Sequence, residues 1–239
     1  MQPITNSLIT ASRKATKFLP RDFFELELLQ SNVRSTEEFC LKSYGKIKNI
    51  LKEELSKHSK YLLFSDEIFE LPSEAGTVLL INPLDAIGNL TRALPFFGVT
   101  ITYLKRINGV LVPLYCVINV PMLNEIYYAE KGCGVWVDKM VQTPSNGLRR
   151  LRVSSCSNTD KAIVISSNLN FKNARSFGSV CYEITLFVSG KVDIVSFAAL
   201  GKTMKPAIDL MVREAGGVII EDNDNCTATN QHLSEKLKS

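Results

Sequence analysis

The chain has 239 residues, 45% of them hydrophobic and 22% charged, with a formal net charge of +4. This balance excludes an intrinsically disordered chain, which could not bury enough apolar surface, and allows one large domain or two modest ones. No apolar run reaches the ~18 residues that a membrane-spanning helix needs.

In chain order, residues 5–31 and 37–58 read as two amphipathic helices. In the second, Phe39, Ile47, Ile50, Leu51 and Leu55 recur at helical spacing. Tyr61-Leu62-Leu63-Phe64 reads as a short strand leading into Ser65-Asp66-Glu67, and 77–81 as a second strand. Strands follow at 98–104, 110–117 and 125–130, the first two joined by Asn108-Gly109, a strong hairpin signal. A glycine-led strand covers 132–137. The polar stretch 142–147 reads as a linker, dividing an N-terminal α+β part (1–143) from a C-terminal α/β part (144–239). In the second part a strand at 162–166 precedes a helix at 179–189 closed by Gly190. A strand at 192–195, a helix at 205–215 closed by Gly216-Gly217, and a last strand at 218–220 complete the alternation.

The six cysteines (Cys40, Cys116, Cys133, Cys156, Cys181, Cys226) are scattered without C-x-x-C pairs, and only two histidines exist. Zn-type spacing is absent, and reduced, mostly buried thiols in a cytoplasmic protein fit best. The N-terminal stretch lacks the charged, apolar and small-residue order of a secretory signal. Basic residues are spread along the chain, with one small cluster at Arg149, Arg150 and Arg152. That cluster reads as a solvated face; nucleic-acid contact would require a wider basic surface.

The most informative segment is Ile81-Asn82-Pro83-Leu84-Asp85-Ala86-Ile87-Gly88-Asn89-Leu90 at the end of the second strand. It resembles the D-P-[IL]-D-G-T-x-N-[FY] signature of the inositol monophosphatase family, with Asn82, Ala86 and Ile87 at the first Asp, the Gly and the Thr. Leu94-Pro95-Phe96-Phe97-Gly98-Val99-Thr100-Ile101 and the stretch from Asn119-Val120-Pro121 through Glu125-Ile126-Tyr127 to Gly132 are similar to two further family segments. Gly178-Ser179, Ser189-Gly190-Lys191-Val192-Asp193 and Glu214-Ala215-Gly216-Gly217 continue the match, in order, to a terminal helix at 230–237. Arg21-Asp22-Phe23 and Leu29-Gln30 resemble the bacterial extragenic-suppressor branch. The resemblance implies an α/β (α+β) fold, an αβαβα layered sandwich, and descent from a Mg²⁺-dependent phosphomonoesterase.

In that family two or three Mg²⁺ ions clamp the phosphate, and one activates the attacking water. The metal ligands carried over by position are Asp66 and Glu67, Asp85, the Leu84 carbonyl, Asn82 as a weak ligand without charge, and Met204 where an aspartate is lost. A thioether is too soft for Mg²⁺. Asp209 is no substitute, because five residues of helix place it roughly 7.5 Å further along the axis. The water-orienting positions fall on Ile87 and Tyr44, neither of them the family residue. Ala86, Ile87 and Gly88 offer backbone N–H groups at a helix start as a phosphate cradle, joined by Gly178 and Ser179. Phe197 stands where a polyol-contacting Glu is lost, and Val180 where a small Ala allows close approach. Lys202 and Lys205 lie beside the lost aspartate and read as exposed lysines.

Four carboxylates reduced to Asp66 and Asp85, with the orienting hydroxyl gone, point to a degenerate member kept as a binding or regulatory module. The resemblance implies a homodimer and a transcription partner, RNA polymerase or an elongation factor. Two alternatives stay open: a residual Mg²⁺-dependent phosphomonoesterase, and a metal-independent binder of small phosphorylated anions. Mg²⁺ is the only cofactor implied, and none is required by the first reading.

Overall fold

The computed structural model describes residues 1–29, 33–139, 147–166, 173–222 and 225–237. The first predicted helix is in fact two, α1 (Pro3–Thr16) and α2 (Leu19–Leu29). The break has a covalent cause. Pro20 has no N–H to give and its ring would meet the carbonyl of Thr16, so the chain turns at Lys17-Phe18 and restarts with Pro20 in a first turn. α3 (Val33–Leu55) begins and ends earlier than its predicted bounds, and buries Cys40, Ile47, Leu51 and Leu55 completely.

β1 (Tyr61–Phe64), β2 (Thr77–Asp85), α4 (Ile87–Thr91), β3 (Gly98–Ile107), β4 (Val110–Val120), β5 (Glu125–Glu130), β6 (Gly134–Lys139) and β7 (Leu148–Leu151) follow. Asn108 and Gly109 both have positive φ, 49° and 82°, the pairing of a type I′ hairpin. The seven strands form one sheet in sequence order, antiparallel except for β1 beside β2. The predicted linker, apart from Gly147, lies outside the described residues. The strand that follows it, β7, pairs with β6 in this first sheet.

β8 (Val164–Ser166), β9 (Ala174–Arg175), α5 (Val180–Val188), β10 (Ile194–Ala198), α6 (Met204–Glu214), β11 (Val218–Asp222), β12 (Asn225–Thr229) and α7 (Gln231–Leu237) make the rest. The second sheet runs β11-β12-β10-β8-β9. The strand predicted to be last is therefore followed by another, β12, which inserts between β11 and β10. Its sequence, Asn-Cys-Thr-Ala-Thr, is too weakly apolar to announce itself, yet Ala228 and Thr229 are completely buried. Neighbouring strands, not side-chain hydrophobicity, hold it.

Residue alternation in the first sheet builds two cores at once. Cys116, Ile118, Val120, Tyr127 and Ala129 face α5, α6 and the second sheet; Val117, Ile126 and Tyr128 face α1–α3. A sheet covered on both faces reads as continuous apolar runs. α5, between the two sheets, is correspondingly apolar nearly all round, with Cys181, Ile184, Phe187 and Val188 enclosed. On the outer face of the second sheet, Leu233 of α7 packs with Ala162, Val164 and Ile194. The layers are helix, sheet, helix, sheet, helix: the αβαβα sandwich.

Candidate functional site

β2 delivers the signature segment through an irregularity. Its register against β3 shifts between Asn82 and Asp85, where Pro83 lacks the N–H that a regular ladder would use. Ala86 then adopts a left-handed conformation (φ 59°, ψ 49°) before the single short turn of α4. This explains the glycine of the signature, since an alanine Cβ at such a φ costs ~1–2 kcal/mol. A glycine here also loses more freedom on folding, ~0.5–1 kcal/mol. Ala86→Gly is therefore expected to raise stability by up to about 1 kcal/mol, read as a higher urea midpoint with an unchanged slope. A lower midpoint would contradict this account of the strain.

Asp85 turns its Oδ2 onto the start of α5, accepting from the Ser179 hydroxyl and the Cys181 N–H, each at 2.8 Å. Ser179 is also the N-cap, its hydroxyl oxygen accepting from the Tyr182 N–H. Gly178, at φ 70°, and Phe177 both donate their N–H to the Glu183 carboxylate. Asp85 thus acts as an anion at a helix N-terminus. Burial nevertheless dominates its titration: enclosure pushes its pKa above 3.8, against the pull of these hydrogen bonds. The Ala86 N–H also points to Asp85, so the predicted phosphate cradle has lost one of its three donors to the protein itself.

Asn82 is buried and its Oδ1 accepts from the Ser65 hydroxyl at 3.1 Å. Leu84 and Ile87 pack into the core beneath α1–α3. Ile87 therefore has an apolar partner where the family uses a hydroxyl. Met204 is buried at the start of α6. Together Ser65, Glu67, Asn82, Asp85, Val180 and Met204 line a cleft of about 430 Å³, closed by residues 198–203. Its described ionisable groups are Glu67, Asp85 and Lys202.

Phe197 is the main correction among the predicted positions. It is only 5% exposed, packed in the core between the sheets, and it is Ala198 and Ala199 that line the cleft. Within the strand, alternation turns Ala198 away from the face of Phe197, and Ala199 leaves the strand altogether at φ 50°. Asp209 pairs with Arg213 at 2.6 Å, one helical turn along. Lys205 pairs with Glu221, and Lys202 reaches the Phe69 carbonyl. From the arginine cluster, Arg150 and Arg152 line a separate depression with Arg213 of α6.

Asp66 and Glu67 sit on the turn after β1, and what they face was not read from the sequence. Lys48 of α3 donates to both Asp66 oxygens, at 3.0 and 2.8 Å, and to Glu67 at 2.9 Å. Tyr44, one turn earlier on α3, hydrogen-bonds Asp66; its phenol is pushed up to about 12, chiefly by burial and then by that carboxylate. Helical spacing was the available signal: Tyr44 and Lys48 are i and i+4, so they share a face.

Mg²⁺ requires near-octahedral oxygen ligands at ~2.0–2.1 Å. The donors here fit that poorly. Asp66 and Glu67 hold an ammonium, Asp85 holds α5, Asn82 holds Ser65, and Met204 offers sulfur. Among the described residues no three His, Cys, Asp or Glu side chains converge as a metal site would need.

Comparisons with known proteins agree with this fold. The chain is 26% identical to an inositol-1-monophosphatase of Caulobacter vibrioides, over 96% of its own length and 97% of the relative's. It is 25% identical to the Nus factor SuhB of Pasteurella multocida, covering 98% and 91% of the two chains. The crystal structure of extragenic suppressor protein suhB from Bartonella henselae superposes with a TM-score of 0.79 at 23% identity, covering 100% of this chain and 97% of that one. The profile of the inositol monophosphatase family matches residues 1–235, and the chain belongs to that family.

Proposed function

We propose that this chain has lost ordinary Mg²⁺-dependent phosphomonoester hydrolysis and serves as a binding or regulatory module. One observation carries the reading. Of the two carboxylates lining the cleft, Asp85 is already committed to Ser179 and Cys181. Removing a single organising group from a catalytic site commonly costs about 10²- to 10³-fold. Here the positions of two aspartates, the glycine and the threonine have all changed. Such losses need not multiply, yet they act in one direction.

Relatives named Nus factor SuhB support a partner in the transcription machinery, RNA polymerase or an elongation factor. A homodimer is proposed on family grounds. The competing reading, a weak Mg²⁺-dependent inositol-1-monophosphatase, is favoured by relatives bearing that name and by the two carboxylates left in the cleft. Among the described residues no helix is long and apolar enough to cross a membrane.

Phosphate release from inositol monophosphate and from a generic phosphomonoester, titrated with Mg²⁺, separates the two. The expected result is background turnover at every Mg²⁺ concentration. Metal-dependent turnover that Asp85→Asn abolishes would overturn the proposal. Capture of purified RNA polymerase on the immobilised chain tests the partner, and no retention at micromolar concentrations would count against it.

A further inference from the structure

The carboxylate pair at Asp66-Glu67 does not look outward for a cation; one is already seated there. The Lys48 ammonium has three hydrogens, and the carboxylates use them through three contacts of 2.8–3.0 Å. Its side chain is only 23% exposed, whereas Asp66 and Glu67 are 41% and 47% exposed. The ammonium also lies 4.8 Å from the centre of the Phe64 ring, on the strand that leads into the pair. Tyr44 closes another side through its bond to Asp66.

This differs from a surface ion pair, in which two long side chains must be immobilised for each other. Here both acids stand on one short turn and the lysine rises from a packed helix: Ile47 and Leu51, its neighbours on α3, are completely buried. The packing of Ile47 and Leu51 places α3, and with it the base of the Lys48 side chain, independently of the ion pair.

We infer that the Lys48 ammonium is a resident cation that replaces a divalent metal between Asp66 and Glu67, so that removing its charge opens the pair to a divalent ion. A divalent ion arriving beside Nζ would meet a positive charge a few ångströms away, and to bind it would have to eject the lysine into solvent. The inference rests on the proposed function and explains one part of it, but the two fail separately. Turnover by the wild-type chain would defeat the proposed function. The experiment below reads cation occupancy and involves no substrate.

Mn²⁺ alone is titrated into the full chain, and the free ion is followed by electron paramagnetic resonance. The wild type and Lys48→Arg are expected to show no saturable site below millimolar concentration. Lys48→Gln should gain one site per chain, at least 10-fold tighter, and Lys48→Gln combined with Asp66→Asn should lose it again. Wild type binding Mn²⁺ as tightly as Lys48→Gln, or Lys48→Gln gaining no site, would overturn the inference. Acylation kinetics of the wild type give a readout that needs no variant. Lys48 should react more slowly than the exposed Lys60, at a rate unchanged by Mg²⁺; acceleration by Mg²⁺ would mean that the metal displaces the ammonium and would equally sink the proposal.

Discussion

Asp85→Ala is expected to lower the melting temperature by about 5–10 °C, while Asp85→Asn changes it little. The alanine leaves the Ser179 hydroxyl and the Cys181 N–H without their acceptor at the buried start of α5. An orphaned buried donor costs ~1–3 kcal/mol, and a chain of this size loses roughly 2–4 °C per kcal/mol. The amide keeps an oxygen in the same place, and it removes a charge that the site desolvates. pH resolves the two effects. Because burial raises the Asp85 pKa above 3.8, the folded chain holds that proton more tightly than the unfolded chain. The resulting stability is complete below the ordinary carboxylate range and is lost as pH rises through the folded-state value. Wild-type stability relative to Asp85→Asn should therefore fall with rising pH across that window. Were Asp85→Ala as stable as wild type, Asp85 would not be the tie between α5 and the signature loop, and the main support for a lost metal ligand would go.

Phe187→Ala is expected to cost about 3–5 kcal/mol, the range for emptying an aromatic position in a closed core. Phe187 is completely buried on α5 and packs in the cluster shared by the first sheet, α6 and the second sheet. It also explains the last family motif. A Cβ on Gly217 would lie 2.8 Å from the Val212 side chain and 3.1 Å from the Phe187 ring. Gly216 ends α6 at φ 84°, and the Glu214 carboxylate accepts from the N–H groups of Gly132 and Gly134. The Glu-Ala-Gly-Gly segment is thus a packing device that fastens α6 to the β5–β6 turn, with no contact to the cleft among those described. Gly217→Ala should lose about 1–3 kcal/mol by overpacking. In the background of Phe187→Leu part of that loss should return, measured as a coupling in chemical denaturation. Strict additivity of the two would show that the ring and the glycine do not share space.

Much of this architecture could be read in advance. The apolar stripe of α3, the Asn108-Gly109 hairpin and the glycine stops of α5 and α6 are local signals. Each depends on a few adjacent residues, whose periodicity or permitted φ decides the outcome. Pro20 was equally legible as a break, but the apolar pattern on both sides of it concealed the division between α1 and α2. β12 was missed because its residues are weakly apolar: it is held by pairing, on one side with β11 just before it and on the other with β10, much earlier in the chain.

The site divides along the same line. From the residues alone came the family, the layered fold and the identity of the weakened positions: Asn82 without charge, Ile87 without a hydroxyl, Met204 without a hard oxygen. These are statements of chemical type, which a side chain carries wherever it is placed. Which partner each surviving acid faces was decided by the tertiary structure. Asp85 belongs to α5, 94 residues from its own strand to Ser179, and Asp66 belongs to Lys48, 18 residues before it. Hydrogen bonds and ion pairs act over about 3 Å, whereas those separations in the chain are fixed only when the sheet and its covering helices close together.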